Sequence, residues 1–129
     1  MPDEPKRRPA VLLLEDEAEL MAVTCVGLGE EFAIETATNV DEARLLLATH
    51  RFDVLICDHM LPGRTQGLDF LIEALQTQPN AQRILLTGYM NPELLSRSQS
   101  LAQLSACLLK PISAGALRRK LHELLALDV

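Results

Sequence analysis

Short apolar runs alternate along the chain with longer stretches in which apolar residues recur at helical spacing. Three of the runs, AVLLL, DVLIC and RILLT, are almost continuously apolar, which is typical of strands covered on both faces in a parallel sheet. The pattern predicts strands at Ala10–Leu14, Phe32–Thr36, Asp53–Cys57, Arg83–Thr87 and Ala106–Leu109. A helical stretch follows each strand, so the order is strand then helix, repeated five times.

Capping signals mark the starts of three of the predicted helices. Asn39, with Glu42 three residues later, predicts an N-cap and a capping box. Asn91 stands before a proline, which suits the first position of a helix, and Ser113 is placed to cap the last helix. The polar segment Ser96–Ser100 forms helix weakly, so the fourth helix has the weakest pattern and is expected to be the most mobile.

This order of elements predicts an α/β protein, a three-layer α/β/α sandwich of (βα)5 type with right-handed crossovers. The pattern leaves the strand order open, although a five-stranded chain of 129 residues favours the flavodoxin-like order 2-1-3-4-5. We expect residues 1–9 to be a disordered N-terminal tail and residues 10–129 to be one domain.

Charge and composition exclude several classes of protein. The net charge of −6 argues against direct binding to nucleic acid, which needs a basic face. The first apolar run stops at Glu15, too soon for a signal peptide or a membrane span, so we expect a cytoplasmic protein without membrane contact. Cys25, Cys57 and Cys107 lie among apolar residues without metal-ligand spacing, which indicates reduced core cysteines.

In an open α/β sheet, ligands bind beyond the carboxyl ends of the strands. The residues found there are Glu15 and Asp16, then Asp58, Thr87 and Lys110. If the first and third strands are neighbours, their carboxylates crowd together and raise one another's pKa unless a cation joins them, and Mg2+ prefers such oxygen ligands. Asp58 is then a candidate nucleophile for aspartyl-phosphate chemistry, with the Thr87 hydroxyl and the Lys110 ammonium placed to bond phosphoryl oxygens.

Each of these residues also has an ordinary structural interpretation. Asp16 can be the N-cap of the first helix, with Glu19 completing a capping box. Asp58 can be a loop residue, Thr87 a β-favouring strand residue and Lys110 a solvated strand end. Complementary groups on four separate strand ends favour the functional interpretation.

The chain resembles the receiver domain of two-component response regulators from about Val11 to Leu127. The resemblance rests on VLLLEDE (Val11–Glu17), FDVLICDHMLPG (Phe52–Gly63), ILLTGY (Ile84–Tyr89) and LLKPI (Leu108–Ile112). It implies the same 2-1-3-4-5 order and a phosphorelay function. A sensor histidine kinase or phosphotransfer protein would give its phosphoryl group to Asp58, and the domain would signal to an unknown downstream protein without being a turnover enzyme.

The resemblance also implies the metal ligands. Asp16 and Asp58 would bind Mg2+ together with the backbone carbonyl of Met60. Glu15 would hold a metal-bound water or bind the ion directly, and its glutamate replaces the commoner aspartate of the family at this position.

The remaining roles concern the phosphoryl group and its lifetime. Thr87 and Lys110 would contact the phosphoryl group, Gly88 leaves room beside the hydroxyl, and the bond from Lys110 to the next proline would be cis. Met60 and Tyr89 would flank the entrance and tune how fast water removes the phosphoryl group.

Two further departures from the family pattern concern the loop and the switch. Pro62 and Gly67 stand five residues apart where the usual spacing is four, and this insertion, with the TGY motif, looks like receivers of the hybrid-kinase type. Cys107 occupies the position of the aromatic residue that often swings inward on activation, so the readout is expected to differ. Tyr89 is a candidate to substitute in part for that aromatic.

Several alternatives stay open beside the phosphoacceptor receiver. A phosphate-independent adaptor of the same fold is favoured by Cys107, and the chain can be a stand-alone receiver or one excised from a longer regulator or hybrid kinase. A homodimer through the fourth helix, fifth strand and fifth helix is a further option. A dehalogenase-type phosphatase is disfavoured because Met60 stands where a second acid is required, and a flavodoxin because no phosphate-cradling loop follows the first strand.

Overall fold

A computed structural model describes residues 7–126 of the chain, and in it five parallel strands form one sheet with helices on both faces. The strands are β1 (Ala10–Leu14), β2 (Ala33–Ala37), β3 (Val54–Asp58), β4 (Gln82–Thr87) and β5 (Ala106–Leu109). The helices are α1 (Ala18–Leu28), α2 (Val40–Thr49), α3 (Gly67–Thr77), α4 (Pro92–Arg97) and α5 (Ala114–Leu124), and a π-helical segment, Ser98–Ala102, continues α4.

The strand order is β2-β1-β3-β4-β5, which confirms the predicted order and the three-layer α/β/α architecture. In this order β1 and β3 are neighbours, with Leu14 paired to Cys57. β3 pairs with β4 through Asp58 and Leu86, and β4 pairs with β5 through Thr87 and Leu109. The carboxyl ends of these four strands therefore meet at one edge of the sheet, where the polar strand ends were expected to meet.

Two apolar cores lie on opposite faces of the sheet, because successive strand residues point to opposite sides. Leu12, Leu55 and Leu85 belong to the core shared with α2, α3 and α4. Val54 and Ile84 belong to the core shared with α1 and α5. This two-sided burial explains why the strands read as continuous apolar runs.

The caps of three helices are confirmed. The side chains of Asn39, Asn91 and Ser113 each accept a hydrogen bond from a backbone amide in the first turn of the helix that follows. The second half of the predicted capping box is wrong, because Glu42 Oε1 accepts from the amide and the hydroxyl of Thr38 at 2.7 Å in both cases, one residue before the cap.

The polar stretch Ser96–Ser100 is where α4 changes into the π-helical segment. That segment ends at Gln103, whose φ of 49° is left-handed. The buried guanidinium of Arg83 on β4 donates to the carbonyls of Ala81 at 2.6 Å, Ala102 at 2.9 Å and Gln103 at 2.9 Å. A strand residue distant in sequence therefore fixes the end of the fourth helical region.

Of the predicted disordered tail, residues 1–9, the first six lie outside the described residues. Residues 127–129 also lie outside them. The described part of the tail contacts the domain, since the carbonyl of Pro9 accepts from the amide of Ala33 at 2.9 Å and Arg8 donates to the carbonyl of Glu30. None of the helices within residues 7–126 combines the length and the hydropathy that crossing a bilayer requires. The three cysteines are free thiols, as expected.

Candidate functional site

Three carboxylates lie together beyond the carboxyl ends of β1 and β3, and we refer to Glu15, Asp16 and Asp58 as the acidic cluster. One carboxylate oxygen from each lies within 4.8 Å of the others. Glu15 is 3% exposed and Asp58 is 6% exposed, whereas Asp16 is open to solvent. The adjacency of the two strands thus brings together residues more than 40 positions apart in sequence.

Lys110, directly after β5, supplies a positive charge to the acidic cluster. Its Nζ lies 3.2 Å from Asp58 Oδ1 and 3.7 Å from Glu15 Oε1. The Lys110 amide donates to the carbonyl of Thr87 at 2.7 Å, which extends the β4–β5 pairing to this residue. The Lys110–Pro111 peptide bond is cis, as the family resemblance implied. One ammonium against three carboxylates leaves an excess of negative charge at this edge.

Burial controls the electrostatics of the acidic cluster. It raises the pKa of Glu15 and of Asp58 above their ordinary values, and in both cases Lys110 offsets part of that effect. Burial lowers the pKa of Lys110, but the pull of Asp58 and Glu15 outweighs it, so that pKa is raised. Ionising these two buried carboxylates therefore costs more free energy than ionising exposed ones, and additional positive charge nearby would lower that cost.

The structural alternative for Asp16 is wrong. Helix α1 begins at Ala18, and its N-cap is Glu17, which makes no side-chain capping bond. Glu15 Oε2 accepts instead from the amide of Glu17 at 3.1 Å, which orients the buried glutamate. The carboxylate of Asp16 therefore belongs to the acidic cluster and does not cap the start of the helix.

Thr87 ends β4 at the same edge of the sheet, but its hydroxyl is bonded to the following loop. The Thr87 Oγ donates to the carbonyl of Tyr89 at 3.0 Å and accepts from the amide of Tyr89 at 3.2 Å. A side chain on Gly88 would begin in open space, since a Cβ there meets nothing within 4 Å. The hydroxyl must leave the Tyr89 carbonyl before it can donate to a group on Asp58.

Met60 and Tyr89 both line a cavity of ≈470 Å³, which we refer to as the loop cavity. Their side chains are among the most exposed large apolar groups, at 68% and 73% of the residue surface. Thr87 and Leu94 also line the loop cavity. The tuning roles of Met60 and Tyr89, and the Met60 carbonyl as a metal ligand, remain predictions.

Cys107 is half-buried on β5 and pairs with Leu85 of β4. Burial raises the pKa of its thiol, and a hydrogen bond with Ser98 of the π-helical segment partly offsets this. No aromatic ring therefore stands at this point of β5, and the altered switch expected from the sequence stays a prediction.

The sequence reasoning missed the role of Gly67, which it named only as the end of an insertion. Gly67 begins α3, and its amide donates to the carbonyl of His59 at 2.9 Å. A Cβ at Gly67 would lie 2.0 Å from the carbonyl oxygen of Asp58. A glycine at the start of a helix after the candidate nucleophile was the available signal for this close approach.

Comparison with known proteins gives the family context for this site. The family model of the response regulator receiver domain matches residues 11–122. The hydrogenase transcriptional regulatory protein HoxA of Cupriavidus necator is 33% identical over 105 residues, 81% of this chain and 22% of that protein. The response regulator protein PilR of Pseudomonas aeruginosa is 30% identical over 112 residues, 86% of this chain and 25% of that protein. The chain thus spans about a quarter of the length of these curated relatives.

Solved structures agree with the fold over most of the chain. The CheY-like response regulator receiver domain protein of Methanospirillum hungatei superposes with a TM-score of 0.87 at 25% identity, covering 93% of this chain and 95% of that one. The signal receiver domain of an HD domain-containing protein from Pseudomonas fluorescens gives a TM-score of 0.86 at 26% identity, covering 93% and 96%. With the family model matching most of its length and the same fold throughout, this chain belongs to the response regulator receiver domain family.

Proposed function

We propose that this chain is a phosphoacceptor receiver, in which Asp58 takes a phosphoryl group from a phosphohistidine of a partner kinase or phosphotransfer protein. The observation that supports this most directly is the meeting of three carboxylates and Lys110 at one edge of the sheet. A buried carboxylate with an ammonium 3.2 Å away has the nucleophile and the counter-charge that aspartyl-phosphate chemistry uses.

The acidic cluster fits Mg2+. Its donors are all oxygens, they lie within 4.8 Å of one another, and burial makes two of them costly to ionise alone. Asp16 and Asp58 would bind the ion with the carbonyl of Met60, and Glu15 would bind it directly or through water. When bound, Mg2+ would neutralise charge on the carboxylates and on the incoming phosphoryl group.

In the proposed transfer, a carboxylate oxygen of Asp58 attacks phosphorus in line with the bond to the partner's histidine. The phosphorus–nitrogen bond breaks and its electron pair returns to the imidazole. Lys110 stays beside Asp58 and balances the negative charge of the acyl phosphate. The Thr87 hydroxyl donates a hydrogen bond to a phosphoryl oxygen after its hydrogen bond to the Tyr89 carbonyl has broken. Hydrolysis later restores Asp58, at a rate that Met60 and Tyr89 tune from the entrance.

The face formed by α4, β5 and α5 is proposed as the output surface. Leu95, Leu101 and Leu109 are exposed on this part of the molecule, which suits contact with a downstream protein or with a second copy of the chain. Because the curated relatives are several times longer than the match, the chain is also proposed to act as one module of a regulator. From the proposed kinase partner we infer a cytoplasmic location. In this proposal the domain is a signalling module and not a turnover enzyme.

Incubation with acetyl phosphate and Mg2+, followed by intact-mass measurement, tests the proposal. We expect the mass of one phosphoryl group to be added to the wild-type chain and not to Asp58→Asn. Asp41→Asn is the matched control, since Asp41 is an exposed aspartate at the start of α2, and it should be modified like the wild type. An unmodified wild-type chain, or an Asp58→Asn variant that is still modified, would contradict the proposal.

A phosphate-independent adaptor is the second candidate. It is favoured by Cys107 on β5 and by the Thr87 hydroxyl being held on the loop rather than at the acidic cluster. The adaptor predicts that Asp58→Asn and the wild type bind the downstream protein equally, with or without acetyl phosphate.

A further inference from the structure

The Thr87 hydroxyl couples the candidate phosphorylation site to the loop before α4. A threonine hydroxyl has one proton, and here that proton goes to the carbonyl of Tyr89 at 3.0 Å. The same oxygen accepts from the Tyr89 amide at 3.2 Å. If the hydroxyl donates to an anion on Asp58, the Tyr89 carbonyl loses its donor. The backbone at Tyr89 therefore changes its hydrogen bonding whenever Thr87 turns toward Asp58.

Tyr89 carries the one exposed ring among the phenylalanine and tyrosine residues of this chain. The chain has one tyrosine, three phenylalanines and no tryptophan, and all four rings lie within residues 7–126. Phe32, Phe52 and Phe70 are buried in the core, whereas Tyr89 is 73% exposed. An exposed phenol ring gains from burial when an apolar cavity with a polar partner is within reach.

The loop cavity offers such a place. It measures ≈470 Å³ and is lined by Thr87 and Tyr89 themselves, and by Asn91, Leu94 and Arg97. Leu94 provides an apolar wall, while Asn91 and Arg97 provide polar groups for a phenol hydroxyl. The ring therefore has both space and chemically suitable neighbours next to its present position.

The connection from this loop to α4 is short. Three residues, Gly88 to Met90, separate Thr87 from Asn91, and the Asn91 side chain caps α4 by accepting from the amide of Leu94 at 2.8 Å. A Cβ at Gly88 would meet nothing within 4 Å, and a glycine between the threonine and the tyrosine has the backbone freedom that a change at Tyr89 requires. A displaced Tyr89 thus acts directly on the capped start of α4.

We propose that modification of Asp58 draws the Thr87 hydroxyl off the Tyr89 backbone and that the Tyr89 ring then closes into the loop cavity against Leu94. The tyrosine after β4 thereby carries the signal to α4 in a chain whose β5 holds Cys107. This relay rests on the proposed phosphorylation of Asp58 and names the element that reads it.

Fluorine NMR of chain labelled with 3-fluorotyrosine tests the relay, because the single tyrosine gives a single resonance. Beryllofluoride with Mg2+ is the phosphoryl mimic, and its own bound fluoride signal reports whether the site is loaded. On loading, we expect the Tyr89 resonance to shift and its broadening by a soluble paramagnetic agent to decrease. Thr87→Val should lose this response. Thr49→Val should keep it, since Thr49 also donates to a backbone carbonyl but lies at the end of α2.

Leu94→Ala provides a test that leaves Thr87 and the acidic cluster intact. If the ring closes against Leu94, the protection of Tyr89 in the loaded state must be smaller in this variant. Protection equal to that of the wild type would overturn the closed position, and protection that persists in loaded Thr87→Val would overturn the trigger.

The outcomes separate the relay from the function on which it rests. Absence of a bound fluoride signal in the wild type would remove the phosphoacceptor proposal and the relay together. A loaded site with an unchanged Tyr89 resonance and unchanged solvent exposure would overturn the relay alone. A loaded site with a protected ring would support both.

Discussion

At the scale of single residues, Gly67 shows how a group outside the acidic cluster fixes the position of Asp58. The start of α3 lies so close to β3 that any side chain at Gly67 would collide with the carbonyl of Asp58. The Gly67 amide also ties the loop back to the carbonyl of His59. The backbone of Asp58 thus packs directly against the first residue of α3, where only a glycine fits.

Gly67→Ala is expected to destabilise the domain by about 1–3 kcal/mol, because a well-packed contact must open. It should also slow the modification of Asp58 by acetyl phosphate, since the shift falls on the residue that reacts. Gly115→Ala is the matched control. Gly115 lies in the first turn of α5 with only the flexible Arg119 side chain near, and alanine there should stabilise the helix by up to about 1 kcal/mol.

Urea unfolding of the two variants, with intact-mass kinetics on the same samples, measures both effects. If Gly67→Ala were as stable and as reactive as the wild type, the close approach to Asp58 would have no energetic consequence.

At the scale of elements, the strands were predictable and the fourth helical region was not. Each predicted strand agrees with the structure to within one residue at either end, because a run such as DVLIC can be buried on both sides only within a sheet. The shift at β3 has a physical cause, since Asp58 completes the pairing with Leu86 although it is polar. Ser96–Ser100 has little apolar periodicity, and its π-helical form depends on Arg83, which lies outside it.

For the candidate site, the strand order predicts which residues meet, but not the direction of each side chain or the path of each loop. Residues that end neighbouring parallel strands must share an edge, so the meeting of Glu15, Asp58 and Lys110 follows from strand order. The direction of the Thr87 hydroxyl did not follow, because it is set by a loop bond that no local pattern encodes. The approach of Gly67 to Asp58 depends on the path of a loop, which spacing alone does not define.

Arg83 is expected to hold the fourth helical region in place. Its guanidinium is buried, and burial lowers its pKa, yet the structure shows backbone carbonyls as its hydrogen-bond acceptors. Arg83→Met keeps most of the length of the side chain but removes its hydrogen-bond donors. The carbonyls of Ala102 and Gln103 then lose the donors that they have in the wild type. We expect a loss of about 2–3 kcal/mol in unfolding free energy.

Hydrogen exchange should show where that loss falls. In Arg83→Met, protection should decrease first in α4 and the π-helical segment, before the central strands are affected. Arg51→Met is the control, because Arg51 is exposed and its replacement should change neither stability nor exchange. A uniform loss of protection across the sheet would contradict a local role for Arg83.

At the scale of the whole molecule, the acidic cluster links folding to pH and to metal. Burial raises the pKa of Glu15 and Asp58 above their ordinary values of 4.5 and 3.8. Between the ordinary and the raised values the folded chain binds more protons than the unfolded chain, so the unfolding free energy must decrease as pH rises through that window. Lys110 stays charged throughout it, because its pKa is raised from 10.5.

Mg2+ is therefore expected to stabilise the domain most at neutral pH and least in acid, where protons compete for the same oxygens. A concentration one hundred times the dissociation constant should add about 2.7 kcal/mol to the unfolding free energy. Thermal unfolding with MgCl2, against NaCl of equal ionic strength, measures this gain at a series of pH values. Asp16→Asn should reduce the gain, whereas Asp41→Asn, an exposed change on α2, should leave it unaltered. Because the net charge of −6 attracts any cation weakly, a gain that NaCl reproduces, or that survives in Asp16→Asn, would indicate screening of the whole surface rather than binding at the acidic cluster.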